Sequence, residues 1–221
     1  MDRELTRYFP SVTAAQTDRF LQLGEIYEYW NSRINLISRK DMGNFYIHHV
    51  LHSLSIAKII RFSEGTRILD VGTGGGFPGI PLAIMFHDSR FFLLDSIEKK
   101  TKVVNAVVEK LGLENVTVIR KRAEAEKGTF DFVVSRAVMD IPGFVKLAGK
   151  NGGTTGRNSL ANGIIYLKGG DIDEEISPFR KDATIWEIKE FFSEPFFETK
   201  KIIYIPVLST KRIPALHKLK K

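Results

Sequence analysis

The sequence predicts an α/β fold, a doubly wound and mostly parallel seven-stranded sheet behind an N-terminal helical extension. Three observations predict it. Short apolar runs recur from residue 67 onward and alternate with helical stretches, the pattern of βαβ units on a parallel sheet. The first run empties into Asp70-Val-Gly-Thr-Gly-Gly-Gly-Phe-Pro-Gly79, a glycine-rich strand-to-helix turn. Residues 1–62 hold no such run and read with helical spacing instead.

The chain divides into a helical extension (1–62), a core (66–207) and a basic tail (208–221), together one domain. Ser11 and Thr13 are candidate N-caps for a helix whose apolar stripe is Phe20, Leu23, Ile26, Tyr27 and Trp30. A turn over Asn31–Ser38 leads to a second helical pattern through Val50, Leu51, Leu54, Ala57 and Ile60. Strands are expected at 67–71, 91–95, 116–119, 130–134 and 164–167. Between the second and third lies a helix capped by Ser96, striped by Val103, Val104, Val107, Val108 and Leu111, and stopped by Gly112. The segment 150–163 is rich in Gly, Asn, Ser and Thr and reads as a long flexible loop. The runs 185–188 and 202–207 have no helix between them, which predicts an antiparallel pair at one end of the sheet.

Composition narrows the function. Lys and Arg number 33 against 26 Asp and Glu, a net charge of +7 that suits a polyanionic partner. The absence of cysteine excludes disulfides, thiolate metal sites and cysteine nucleophiles. No signal peptide is visible, and no apolar run approaches the roughly 18 residues that span a bilayer. A cytoplasmic protein with no membrane partner is expected.

Glycines let a backbone turn with positive φ and approach a ligand closely. Two acids flank this turn, Asp70 before the glycines and Asp95 at the end of the next strand. An acid at the second position accepts from both ribose hydroxyls and repels a 2′-phosphate, so an adenosine nucleoside is expected. A pyrophosphate would want a helix N-terminus close behind the glycines. A carboxylate at Asp70 suits a sulfonium cofactor with an amino acid tail better, directly or through water. The spacing therefore favours S-adenosylmethionine over a dinucleotide, with Gly74 in the ligand's path.

In such a sheet the ligand lies over the carboxyl ends of the strands. The third strand end places the backbone of Ala123 and Glu124 near an adenine. The fourth ends in Ser135-Arg136-Ala137. This is not the Asn-Pro-Pro-Tyr that methylation of exocyclic amines often uses, and C5 methylation of pyrimidines normally requires a cysteine. An acceptor already nucleophilic remains; guanine N7 needs only to be held in line with the methyl group. Arg136 is the candidate catalytic residue, able to hold the cofactor carboxylate or to donate to guanine O6. Phe77 interrupts the glycines and could cover the ligand.

These stretches resemble the bacterial small-subunit rRNA guanine-N7 methyltransferase family, also called glucose-inhibited division protein B. The resemblance is carried by Asn35-Leu-Ile-Ser38, His49-Val-Leu-His-Ser-Leu54, Leu69 to Pro81, Leu94-Asp-Ser96, Leu113-Glu-Asn-Val116, Phe130 to Ala137 and Leu167-Lys-Gly-Gly170. It implies a class I, Rossmann-like fold and methylation of a guanine N7 in the decoding-region loop of 16S rRNA. The substrate would be 16S rRNA or the small ribosomal subunit, the cofactor S-adenosyl-L-methionine, and the enzyme a monomer needing no protein partner. The resemblance implies cofactor contacts at Gly72, Phe77, Ala123, Glu124 and Arg136, and places Asn35, His48, His49, Arg122 and Lys168 near the substrate. The segment 150–163 and the basic tail depart from the family pattern.

Other readings compete. His48 and His52 share a helix face, but no third ligand accompanies them, so no metal is expected. Tyr27, Tyr29 and Trp30 read as core rather than as base-stacking platforms. A small-molecule methyltransferase, a nicotinamide oxidoreductase or a non-catalytic RNA-binding module could each carry the same glycine turn.

Overall fold

A computed structural model describes residues 2–34, 36–136 and 138–210. The extension begins with α1 (Asp2–Tyr8) and α2 (Ala14–Asn31). Thr13 caps α2 in a reciprocal box with Gln16, so two helix-end donors are satisfied at once. The buried face of α2 is Gln16, Phe20, Leu23 and Tyr27. Trp30 is half-buried, but Tyr29 is 54% exposed; lying two positions past Tyr27, it turns to the opposite side of the helix, against the expectation of core.

The second expected helix is not uniform. After the short α3 (Arg39–Met42), Tyr46–Leu51 is a π-helix, α4 (His52–Leu54) follows, and Ser55–Lys58 tightens into a 3₁₀ turn. Ser53 Oγ donates to the His49 carbonyl at 2.6 Å and Ser55 Oγ to the His52 carbonyl at 2.7 Å. Such side-chain bonds compete with the regular backbone ladder.

The core is a seven-stranded sheet in the order β3-β2-β1-β4-β5-β7-β6. Strands β1 (Arg67–Val71), β2 (Arg90–Asp95), β3 (Val116–Arg120), β4 (Phe132–Arg136) and β5 (Gly163–Gly169) are parallel. β4 starts later than expected because Phe130 makes only an isolated bridge to Gly152. The helices α5 (Gly79–Met85), α6 (Glu98–Leu111) and α7 (Ile141–Ala148) lie between them in sequence. Gly112 ends α6 with φ +58°, as expected, whereas the start is at Ile97 rather than Ser96. After α8 (Asp173–Ile176), β6 (Thr184–Glu187) and β7 (Lys200–Pro206) form the expected antiparallel edge. β7 is the inner member, paired antiparallel to β5 with Gly169 opposite Lys200. The last described turn is α9 (Val207–Thr210); the rest of the basic tail, 211–221, lies outside the described residues.

Two apolar layers cover the sheet. The larger joins α2 and the 45–62 segment to α5, α6 and the inner strands; the smaller packs α7 and Phe179 on the other face. Val103, Val104, Val107 and Leu111 are buried from α6, each worth about 1.5–3 kcal/mol.

The 150–163 loop has little regular structure, as expected, but it is pinned. Asn158 Oδ1 accepts from Ser63 N at 2.7 Å and Thr66 Oγ1 at 3.1 Å. Asn162 Nδ2 donates to Asp131 Oδ1 at 3.1 Å and the Thr155 carbonyl at 2.7 Å. Those partners precede β1 and β4, so the loop sits at the amino ends of the strands, opposite the glycine turn. No helix among the described residues is long and apolar enough to cross a membrane.

Candidate cofactor and substrate site

β1 delivers the chain into the turn at its carboxyl end. Gly72, Gly74 and Gly76 adopt φ of +69°, +58° and +94°, which side-chain-bearing residues rarely adopt. Asp70 anchors the turn from below. It is fully buried, and its Oδ2 accepts from Thr73 Oγ1 at 2.6 Å and Gly79 N at 2.8 Å. The turn thus closes around Asp70, whose Oδ1 is buried with no hydrogen-bond partner. Burial raises the Asp70 pKa to about 7, against the pull of its two hydrogen bonds and of Arg136.

Asp95 ties the second strand to the first. Its Oδ2 accepts from Gly74 N at 3.0 Å and its Oδ1 from Ile97 N at 2.9 Å. A carboxylate has about four acceptor sites, so Asp95 keeps capacity for further donors. It lines a cleft of about 520 Å³ over the carboxyl ends of β1, β2 and β4, with Gly72, Arg122, Ala123, Glu124 and Arg136. Leu94, Ile97, Val138 and Leu147 supply apolar wall. A Cβ on Gly72 would meet Val138 Cγ2 at 2.8 Å. A Cβ on Gly74 would enter open space, with only the Gly72 carbonyl within 4 Å.

Arg136 ends β4 and reaches into the extension. Its Nη1 donates to the His48 carbonyl at 3.1 Å and its Nη2 to His49 Nδ1 at 2.9 Å. Its guanidinium lies 5.2 Å from the Phe77 ring centroid. It has no carboxylate partner among the described residues, which removes the rim salt bridge as an explanation for it. Burial lowers its pKa to about 10, partly offset by Asp70, and it stays charged at neutral pH.

The expected residues divide. Gly72, Asp95, Arg122, Ala123, Glu124 and Arg136 share the cleft, and Gly74 touches its edge through Asp95. Asp70 supports the turn from beneath rather than lining the cleft. Phe77 does not cover the cleft either: it is 4% exposed, packed 5.1 Å from Tyr27, 5.2 Å from His49 and 5.9 Å from Phe45. Its bulk joins the glycine turn to the extension. His48 donates from Nδ1 to Asp41 Oδ1 at 2.9 Å and stacks 3.9 Å from Phe196. Lys168 is paired with Glu175 and also donates to the Met139 carbonyl at 3.3 Å. Asn35 lies outside the described residues.

Three supports escaped the sequence reading. Thr73 ties the turn to Asp70; its place three residues after an acid was the available signal. Ser135 Oγ donates to the Val71 carbonyl at 2.7 Å, holding β4 to β1 beside the turn. Tyr27 donates to the Gly75 carbonyl, a pairing across 48 residues that no local pattern announces.

Residues 16–203 match the family model described as rRNA small subunit methyltransferase G. The chain belongs to that family. A ribosomal RNA small subunit methyltransferase G of Bacteroides fragilis is 52% identical over 203 residues, covering 92% of this chain and 98% of the relative. The Flavobacterium johnsoniae protein of the same name is 51% identical over 204 residues, covering 92% and 97%. Solved structures agree in fold. A complex of MtNAS with MTA and tNA aligns with TM-score 0.57 at 15% identity, covering 87% of this chain and 70% of that one. A SAM-dependent methyltransferase from Aquifex aeolicus aligns with TM-score 0.50 at 17% identity, covering 73% and 92%. The fold is that of the class I, Rossmann-like methyltransferases, and the family uses S-adenosylmethionine.

The cleft suits that cofactor. It offers a carboxylate at the second strand end, apolar wall, and a guanidinium with no paired acid among the described residues. Glycine occupies the two positions where a Cβ would meet Val138 or project into open space beside Asp95.

Proposed function

We propose that this chain methylates guanine N7 in the decoding-region loop of 16S rRNA, using S-adenosyl-L-methionine. The observation that carries the reading is the cleft at the switch between β1 and β4. There Asp95, the backbone of Gly72 and the guanidinium of Arg136 converge in a chain of this family.

Bound in the cleft, the cofactor supplies a methyl group already activated on sulfur. The chain then has three tasks. Asp95 accepts from the ribose hydroxyls with the lone pairs left over from Gly74 and Ile97. The turn at Ala123–Ala125 would offer backbone to the adenine, and Arg136 would hold the carboxylate of the amino acid tail. The remaining task is to hold the guanine in line, a contribution of orientation rather than of proton transfer. His49 fits such a site. Burial, reinforced by Arg136, lowers its pKa to about 3, so it stays neutral. Arg122, which lines the cleft, is a candidate to meet the RNA, with His48, Lys168 and Asn35 the further candidates from the sequence. The enzyme acts in the cytoplasm, as a monomer and without a protein partner; light scattering of the purified chain tests the stoichiometry.

Mapping N7-methylguanine in 16S rRNA from cells with and without the gene tests the reaction. Loss of one modified guanine in the decoding-region loop is expected, and an unchanged map overturns the substrate. Calorimetry tests the cofactor: S-adenosylhomocysteine binds and NAD does not.

A further inference from the structure

The glycine turn is held from two sides. Asp70 grips it from the sheet through Thr73 and Gly79. From the extension, Tyr27 Oη donates to the Gly75 carbonyl. Tyr27 is fully buried, its ring 5.1 Å from Phe77 and 5.2 Å from Phe45. The fit is close, since a Cβ on Gly76 would meet Tyr27 Oη at 3.0 Å.

The helix that carries Tyr27 has its own anchor. Gln16 Nε2 donates to the carbonyls of Ile84 and Met85 at 3.0 Å each. Gln16 and Tyr27 lie on one buried face of α2, about three turns apart. α2 therefore grips α5 at its far end and the turn that opens it. Gly75 has no side chain to fix it, and its neighbours Gly74 and Gly76 have φ of +58° and +94°. A turn so built has much conformational freedom to lose when a ligand orders it.

We propose that Tyr27 is a positioning residue for the cofactor: its hydroxyl fixes the Gly75 carbonyl and keeps the Gly72–Gly76 turn in its ligand-receiving shape. The affinity of the cleft is then set in part from the N-terminal extension. Burial raises the pKa of the Tyr27 hydroxyl, so it remains a donor throughout the physiological range. The role rests on the function proposed above, since it concerns the same cleft.

Tyr27→Phe tests it, removing one oxygen and keeping the ring in its aromatic contacts. Calorimetry with S-adenosylhomocysteine, and kinetics with small-subunit rRNA, are compared with wild type. The dissociation constant and the cofactor KM are expected to rise about five- to tenfold, the range for one unmade buried hydrogen bond. The kcat at saturating cofactor and the KM for RNA stay within about twofold, because neither reports the shape of the empty turn. An unmoved affinity, or a fall in kcat at unchanged cofactor KM, overturns the role of Tyr27 alone. Wild-type protein that takes up no S-adenosylhomocysteine overturns the proposed function as well.

Discussion

Arg136 donates from Nη2 to His49 Nδ1 at 2.9 Å, a hydrogen bond between two side chains that can both carry positive charge. Arginine can only donate, so His49 accepts at Nδ1 and carries its proton on Nε2. That nitrogen is buried with no partner. The pair locks the π-helix to the end of β4, and it holds the guanidinium where no carboxylate among the described residues pairs with it directly.

Arg136→Lys is therefore expected to lower methyl transfer at least about a hundredfold, about 2.7 kcal/mol. An ammonium is a point charge and cannot reproduce the planar fork that meets the His48 carbonyl and His49 together. Single-turnover rates on 16S rRNA check this, and retention of more than a tenth of the wild-type rate would contradict it.

Acid stability has two opposed contributions. Asp70 titrates at about 7 in the fold against an ordinary 3.8. The native state thus holds the extra proton between those values, and stability falls as pH rises from about 4 to 7. His49 is lowered to about 3 from 6.5, and His52 is lowered well below 6.5, both chiefly by burial. There the unfolded chain holds the extra protons, so stability is lost as pH falls below about 6.5. Urea unfolding from pH 4.5 to 7.5 should show a steeper gain with pH in Asp70→Asn than in wild type. His49→Gln should show a shallower one. Slopes that move in the same direction in both variants would refute the assignment.

The glycines of the turn should separate under substitution. Gly72→Ala meets Val138 at 2.8 Å and has φ +69°, so it combines a clash with backbone strain. Gly74→Ala has φ +58° and open space, which leaves only strain of about 1–2 kcal/mol. Thermal denaturation should rank Gly72→Ala as the less stable. Gly74→Asp should stay folded and lose S-adenosylhomocysteine binding, because its side chain would occupy the open space beside Asp95.

Asp95→Ala should damage binding and stability together. It removes an acceptor for ribose and also frees Gly74 N and Ile97 N. Cofactor affinity is expected to fall by about 1–3 kcal/mol, with a lower melting temperature. Asp95→Asn keeps an acceptor and should recover part of both.

Asn158→Ala should do the reverse, lowering stability by about 1–3 kcal/mol through the stranded Ser63 N; the Thr66 hydroxyl keeps the Ser63 carbonyl at 2.6 Å. Methylation rate on a folded sample should be unchanged, since the loop sits at the amino ends of the strands. A variant with normal stability and impaired methylation would place this loop in the RNA interface.

Much of this was legible in the sequence. Strands announced themselves because each is a short run of large apolar residues between breakers, and Gly112 stopped its helix where a left-handed residue was needed. Asp95 and Arg136 were readable because their residue types sit at strand ends, where this sheet architecture exposes side chains to a ligand. Phe77 and Asp70 were misplaced for a common reason. Sequence order puts them in the ligand turn, while their orientation depends on what packs beneath it: Tyr27, Phe45 and His49 for the ring, Thr73 and Gly79 for the carboxylate. The π-helix was equally hidden, since its apolar spacing imitates an ordinary helix and its serine-to-carbonyl bonds become visible only in three dimensions.

Because β7 runs backward between β5 and β6, the outer edge of β5 finds its partner only in the segment ending at Pro206. A ribosome making this protein therefore releases the glycine turn and all the parallel strands while one long edge still lacks its neighbour. Until β7 emerges, that edge offers unpaired backbone groups to any other strand. The nascent chain is most exposed to mispairing between the emergence of β5 and that of β7.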